Sequence, residues 1–272
     1  MGLSIAGITL FYVYPLILSM TECFTQGIHE KTFVGLENFK DLFENKAFRL
    51  ATANTVKFFE VSLPLVMILP LWLALSLSRM RRGSAILSRS MILPIAIPTV
   101  SLSVLCDVLF SFDGLANRVL AIIGVSAVDF VNSDAAFGYL VGLYLFRYAG
   151  YNFILFLAGL SGIRREYYES AQVDGASSWR MFRSITCPLL WPTTLLVFMM
   201  SIINGFKIFR EAYLIGGNYP HESIYLLQHF MNNQFIKLNY HSLSCVSVLV
   251  FSIVSVFMVV LVWVQSRIQV EG

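Results

Sequence analysis

The chain alternates long apolar runs with short stretches that hold most of its charge. Residues 2–21 carry no charged side chain, and neither do 61–78, 90–106, 148–163, 184–206 and 242–266. The run at 148–163 is extended upstream by the uncharged stretch 135–146, with Arg147 alone between the two. A bilayer core of about 30 Å takes about 20 apolar residues of helix. Six spans are therefore predicted, at about 2–20, 52–78, 86–110, 135–160, 187–209 and 242–265. They are predicted as helices, because lipid tolerates no open sheet edge. The valines from Val246 to Val262 favour a strand in water, but 25 uncharged residues in one run read as a membrane helix. Pro64, Pro70, Pro94 and Pro98 fall in or near spans and are expected to kink them. The first span is expected to be a retained helix, because no basic stretch precedes it and no small-residue cleavage site follows.

Composition agrees with the pattern. Hydrophobic residues make up 57% and charged residues 13%, against about 25% charged in a soluble domain; mean hydropathy is +0.72. These values exclude a disordered chain, a disulfide-stapled secreted domain and a basic nucleic-acid binder. Cys23, Cys106, Cys187 and Cys245 show no CxxC spacing and no metal-ligand interval to a histidine, so they read as small apolar fillers. No GxxxxGK[ST] or GxGxxG loop is present to cradle a nucleotide, and neither HExxH nor GxSxG occurs. No catalytic residue and no metal site is expected, and any ATP used must be hydrolysed by another polypeptide.

Basic residues set the orientation. One side of the six spans holds Arg79, Arg81, Arg82, Arg89, Arg164, Arg165, Arg180, Arg183 and Arg267 against Glu166, Glu169, Asp174 and Glu271. The other holds seven basic and ten acidic residues. The arginine-rich side is expected to be cytoplasmic, which places both termini there.

The segment between spans four and five reads EYYESAQVDGASSWRMFRSITCP over Glu166–Pro188. That is long for a passive connection. Glu166–Val173 has helical propensity, and Gly175 sits where a helix ends in a left-handed residue. Ser177 or Ser178 can cap a second helix running to Ile185, after which Pro188 marks entry to span five. The small residues Ser170, Ala171, Gly175 and Ala176 allow close approach of another surface. Glu169 and Asp174 offer charge to a basic partner, and Trp179, Met181 and Phe182 are expected to pack below the spans. A plain amphipathic surface helix fits the same pattern.

This loop resembles the EAA loop of ABC importer permeases, EAAxxDGAxxxxxFxxIxLP. Glu169, Ala171, Asp174, Gly175, Ala176, Phe182, Ile185 and Pro188 match it; Ser170 and Cys187 depart from it, as does Arg164, where the family usually has proline. The resemblance extends to GLENF at 35–39, Asn54-Thr55, LAGLSGI at 157–163 and LIGGNYP at 214–220, the segments of a sugar-type permease. It implies an all-α polytopic membrane protein of type I ABC importer permease architecture, a single transmembrane domain over 1–272 with its EAA loop at 161–188. The loop would form a coupling helix seated in a cleft on a cytoplasmic ATPase subunit, with Glu169, Ser170, Ala171, Asp174, Gly175, Ala176, Trp179 and Phe182 as contact residues. The implied partners are a second, homologous permease subunit, two ATPase subunits that bind the ATP and Mg, an extracellular solute-binding protein delivering a carbohydrate, and membrane lipid. The implied location is a bacterial or archaeal cytoplasmic membrane. A stand-alone secondary transporter or channel for a small polar solute is the rival reading; it leaves the DGA loop unexplained.

Ionisable groups inside spans are costly and usually face a cavity or a partner. Lys57 and Glu60, three apart, are expected to neutralise each other, and Asp107 and Lys207 to reach the outer span ends. Arg147 lies deeper, with Tyr144, Tyr148, Tyr151 and Asn152 near it in sequence; a sugar pocket and ordinary helix packing both fit this set. Arg147, Tyr148, Tyr151, Asn152, Asn204 and Lys207 are the candidate substrate path. Lys57-Glu60 and Arg210-Glu211 could instead hold the partner permease. The stretch Leu214–Asn239 is expected to be a long polar outer loop, which in the family faces the binding protein.

Overall fold

The computed structural model describes residues 2–27, 31–78 and 84–270. Arg79, Arg81, Arg82 and Glu271, part of the charge argument above, lie outside the described residues, as does the side chain of Arg89. The described residues are mostly helical, with one two-stranded ribbon among them. Six described helical stretches are long and apolar enough to cross a membrane: Ser4–Glu22, Lys46–Ser78, Thr99–Ile122, Ala135–Ser161, Ser178–Gly216 and Tyr240–Arg267. The chain groups into two compact units, Met1–Thr55 with Tyr225–Gly272, and Val56–Ile224.

The first unit opens with α1 (Gly2–Ile8), a π-turn at Thr9–Val13 and α2 (Tyr14–Glu22). Strands β1 (Thr25–Gln26) and β2 (Thr32–Phe33) pair antiparallel, Thr25 opposite Phe33. Helix α3 (Glu37–Glu44) follows, then α4 (Lys46–Ser78), which supplies residues to both units. The unit closes with α13 (Leu227–Ile236) and α14 (Tyr240–Val270), α14 packing on α2, α3 and α13. Its core gathers Cys23, Leu42, Phe48, Ala51, Phe230 and Cys245 among others. Polar side chains tie its segments together. Asn38 Nδ2 donates to the carbonyls of Cys23 (3.1 Å) and Thr25 (2.9 Å). Asn54 Nδ2 donates to Tyr225 O at 3.1 Å, and the Leu227 N–H donates to Thr55 Oγ1 at 2.8 Å. The GLENF and Asn-Thr segments thus hold this unit together. His229 is fully buried on α13; its Nδ1 accepts the Leu226 N–H at 3.1 Å, and burial holds its pKa down to about 4.

The second unit continues with α5 (Ser84–Ala96), α6 (Thr99–Phe110), α7 (Leu115–Ile122), α8 (Ala135–Ser161), α9 (Arg165–Val173), α10 (Ser178–Met181), α11 (Cys187–Lys207) and α12 (Phe209–Gly216). Pro64, Pro70 and Pro94 sit inside continuous helices, whereas Ile97–Pro98 separates α5 from α6. The expected span at 86–110 is therefore broken, and the third apolar stretch runs through α6 and α7 instead. The fifth span also differs from expectation. A π-turn at Phe182–Thr186 joins α10 directly to α11, so no interruption precedes Pro188, and the helix is interrupted at Ile208 alone, whose backbone stays in the helical region (φ −60°, ψ −17°). The stretch 214–239 is no open loop, since it contains the end of α12 and all of α13.

Helix α8 is the hub of this unit, packed on α5 and α11. Its Gly150 lets α5 approach so closely that a Cβ there would collide with the Met91 carbonyl. Phe153 and Phe156 of α8 pack with Ala74, Leu77, Leu190 and Val197. Asn152 Nδ2 donates to Val66 O (3.0 Å) and Ser201 Oγ (2.9 Å), and Tyr144 OH donates to Ser201 O at 2.7 Å, so one polar set joins α4, α8 and α11. In the turn before α8, the Val131 and Asn132 N–H groups donate to the Asp129 carboxylate, and these bonds hold its pKa below the ordinary carboxylate value.

Candidate functional site

The loop between α8 and α11 folds as its sequence directs. Helix α9 ends in a Schellman turn: Ala176 N–H donates to Ala171 O at 2.9 Å and Gly175 N–H to Gln172 O at 3.0 Å. Gly175 adopts φ +76°, a left-handed conformation that costs a side-chain-bearing residue about 1–2 kcal/mol. Ser177 then caps α10, its Oγ accepting the Arg180 N–H at 3.3 Å. Glu169, Ser170, Asp174 and Gly175 are exposed; Ala171, Ala176 and Phe182 are half-buried. Arg165 Nε lies 3.0 Å from Glu169 Oε1, one turn apart and in solvent. Tyr168 OH and Thr186 Oγ1 meet at 2.9 Å, tying α9 to the π-turn below it. Trp179 corrects the expectation. It does not pack beneath the spans but is 68% exposed, with its ring stacked on Phe182 at 5.6 Å. The loop therefore presents acids, small residues and one large aromatic ring together.

The candidate path residues differ in surroundings and do not share one set of contacts. Arg147 and Tyr148 lie together, the guanidinium carbon 5.9 Å from the ring centre. Tyr148, Asn152 and Asn204 are buried, Tyr151 is half-buried, and Lys207 is exposed. Asn152 is engaged in the α4–α8–α11 polar set and is not directed at Arg147. Lys57 does not pair with Glu60 among the described residues; its ammonium lies 4.6 Å from the centre of the Phe137 ring.

Arg147 has a partner that the sequence reading assigned elsewhere. Its Nη1 lies 3.0 Å from Glu211 Oε1. Its Nη2 donates to Thr99 Oγ1 at 3.3 Å, and Thr99 Oγ1 donates to Glu211 Oε1 at 3.4 Å. Glu211 is 3% exposed, so it cannot reach across to a second permease as expected; its neighbour Arg210 is the exposed member. The signal was present in the spacing. Buried Ser201, Asn204 and Ile208 recur at helical intervals, and the next step lands on Glu211.

Comparison with known proteins adds the family. Residues 66–270 match the model described as binding-protein-dependent transport system inner membrane component. The chain is 32% identical over 235 residues to the trehalose/maltose transport system permease protein MalF of Thermococcus litoralis, covering 86% of this chain and 80% of that one. It is 33% identical over 215 residues to the lactose transport system permease protein LacF of Rhizobium radiobacter, covering 77% and 72%. Its fold resembles a crystal structure of a bacterial ABC transporter involved in the import of the acidic polysaccharide alginate, with TM-score 0.80, 23% identity and 98% and 92% coverage. The alginate transporter in complex with an alginate pentasaccharide-bound periplasmic protein matches at TM-score 0.79, 23% identity and 96% and 89% coverage.

Proposed function

The chain belongs to the binding-protein-dependent transport system inner membrane components, and from that premise we propose how its parts serve import. It is a multi-pass permease component of a carbohydrate ABC importer, a role that a solitary secondary transporter or channel does not fill. In our reading the 161–188 loop is the surface on which an ATPase subunit docks. Glu169 and Asp174 meet basic groups there, while Ser170, Ala171, Gly175 and Ala176 let the two backbones come close. Trp179, exposed beside them, fills an apolar recess of the partner. The observation that carries this reading is the exposed Schellman turn at Gly175, which holds α9 and α10 as one rigid projection.

A second, homologous permease completes the path, and two ATPase subunits bind the ATP and Mg. A solute-binding protein delivers the carbohydrate on the face opposite the loop, as the periplasmic protein in the related complex suggests. Both termini then lie in the cytoplasm. Closure of the ATPases on ATP pulls the loop and shifts the spans between two states of differing stability. Of the path residues, Lys207 has the exposure of a group that meets solute directly, and Arg147 acts through Glu211.

The test is co-purification. A tagged chain should bring down an ATPase subunit. Replacing residues 165–181 by a glycine-serine linker of equal length should abolish this while the chain stays inserted. Undiminished recovery of the ATPase would overturn the docking assignment.

A further inference from the structure

We propose that Thr99, Arg147 and Glu211 form a clasp that opens and re-forms in each transport cycle, making them positioning residues for import; the inference rests on the permease reading. Arg147 stands 12 residues from the start of α8 and 14 from its end, by 147 − 135 and 161 − 147. At about 1.5 Å per residue it is roughly 20 Å along the helix from either end, at the middle of a helix long and apolar enough to cross a membrane. An ion pair is expensive to bury there.

Both partners of Arg147 stand at helix breaks. Thr99 is the first residue of α6, just after the Ile97–Pro98 interruption. Glu211 lies in the first turn of α12, just after the break at Ile208. Helices α6 and α12 pack on each other, whereas α5 and α11, on the other side of the breaks, pack on α8. The clasp therefore ties one pair of half-helices to the helix on which the other pair is seated. The chain leaves the helical conformation at Pro98 (ψ 142°) and only loosens at Ile208 (ψ −17°), so α6 can swing at the first point and α12, packed on it, can bend at the second, with Arg147 and its two partners deciding whether they do.

The clasp is also poorly satisfied for a permanent strut. Among the described residues, Glu211 Oε2 and Arg147 Nε are buried without a hydrogen-bond partner. A buried polar atom left unpaired loses its hydration with no return, so the clasp gains less from closure than a fully paired network would. Water entering between α6–α12 and α8 would hydrate these same atoms. The closed and open states are thereby brought close in free energy, as an alternating path requires.

The test uses the assembled importer in nanodiscs, with Cys187→Ser removing the exposed thiol and Thr99→Cys as reporter. A water-soluble maleimide should label the thiol introduced at position 99 at least tenfold faster with the ATPases trapped by ATP and vanadate than without nucleotide. Adding Glu211→Gln should raise the nucleotide-free rate towards the trapped one, and the exchange Arg147→Glu with Glu211→Arg should restore protection. The Thr99→Cys comparison leaves the ion pair intact, so it stands even where Glu211→Gln fails to assemble. Labelling within twofold in the two states, slow or fast, overturns the clasp while leaving the permease reading intact. Absence of an ATPase subunit from the purified complex overturns both.

Discussion

Two arginine–glutamate pairs in this chain share one separation and have opposite surroundings. Arg165 and Glu169 lie 3.0 Å apart on α9 with 81% and 61% of their side chains exposed. Arg147 and Glu211 lie 3.0 Å apart between α8 and α12 with 12% and 3% exposed. Water screens the first pair, and side-chain entropy offsets most of what remains, leaving about 0.3–0.5 kcal/mol. The second is largely stripped of water inside the protein, where charge is costly, and each partner is held by the other. Distance alone therefore says little about an ion pair. One pair lies on an exposed projection, and the other joins α8 to α12 in the interior, where we propose that it holds α6 and α12 closed.

The largest effect should come from halving the buried pair. Arg147→Met leaves the Glu211 carboxylate alone in a dry site, and the purified permease should lose about 3–5 kcal/mol of stability, read as lowered thermal resistance. Arg147→Met with Glu211→Leu removes both charges and should recover most of that loss. If the double variant is as unstable as the single one, the two residues do not act as a unit and the contrast with α9 disappears.

The helix–turn–helix at 165–181 was legible in the sequence, and the pairing of Arg147 with Glu211 was not. Gly175, Ser177 and the helix between Arg165 and Val173 obey local rules, since a left-handed residue, a hydroxyl cap and a short polar helix depend on neighbours within a few positions. Arg147 and Glu211 are 64 residues apart, by 211 − 147, and no local rule joins them. Arg210 beside Glu211 invited a local pairing, while helix phase turned one outward and the other inward. The prolines make the same point. Pro64, Pro70, Pro94 and Pro98 all lack an amide donor, but only at Pro98 does the helix part. What distinguishes it is tertiary: Thr99, the next residue, is held by Arg147 and Glu211.

His229 carries the burial rule into the other unit. Its ring is neutral when folded and titrates at about 4 instead of the ordinary 6.5. Below about pH 6.5 the unfolded chain takes up a proton that the folded chain refuses until about pH 4. Stability should therefore fall as pH drops through that window, by up to about 3 kcal/mol, and this contribution should be flat above it. His229→Gln should flatten the acid limb of a melting-temperature series between pH 4 and 7. An unchanged slope in that variant would show that His229 is not the group responsible.

Gly175 tests the exposed region where it is constrained. A side chain there meets no other atom within 4 Å, so only the left-handed backbone and the docking surface are disturbed. Gly175→Asp should leave the subunit inserted and cut transport at least tenfold, about 1.4 kcal/mol in coupling. Gly175→Asn, which tolerates the left-handed region better, should do less harm. Full transport with normal ATPase stimulation in Gly175→Asp would remove the turn from the coupling path.

The smallest effect should come from the exposed pair itself. Arg165→Ala deletes a charge 3.0 Å from Glu169 and leaves the Schellman turn, the Ser177 cap and the Glu169 carboxylate in place. The expected change in stability is below about 0.5 kcal/mol, the usual worth of a solvated pair one turn apart, and raising the salt concentration should shrink it further. Glu169 then keeps its charge for the ATPase surface, so transport should stay near the unmodified rate. A loss approaching that of Arg147→Met would mean that α9 is desolvated in the assembled importer, its partner covering this pair as α6 and α12 cover the other. The two arginine–glutamate pairs would then differ only in which polypeptide excludes the water.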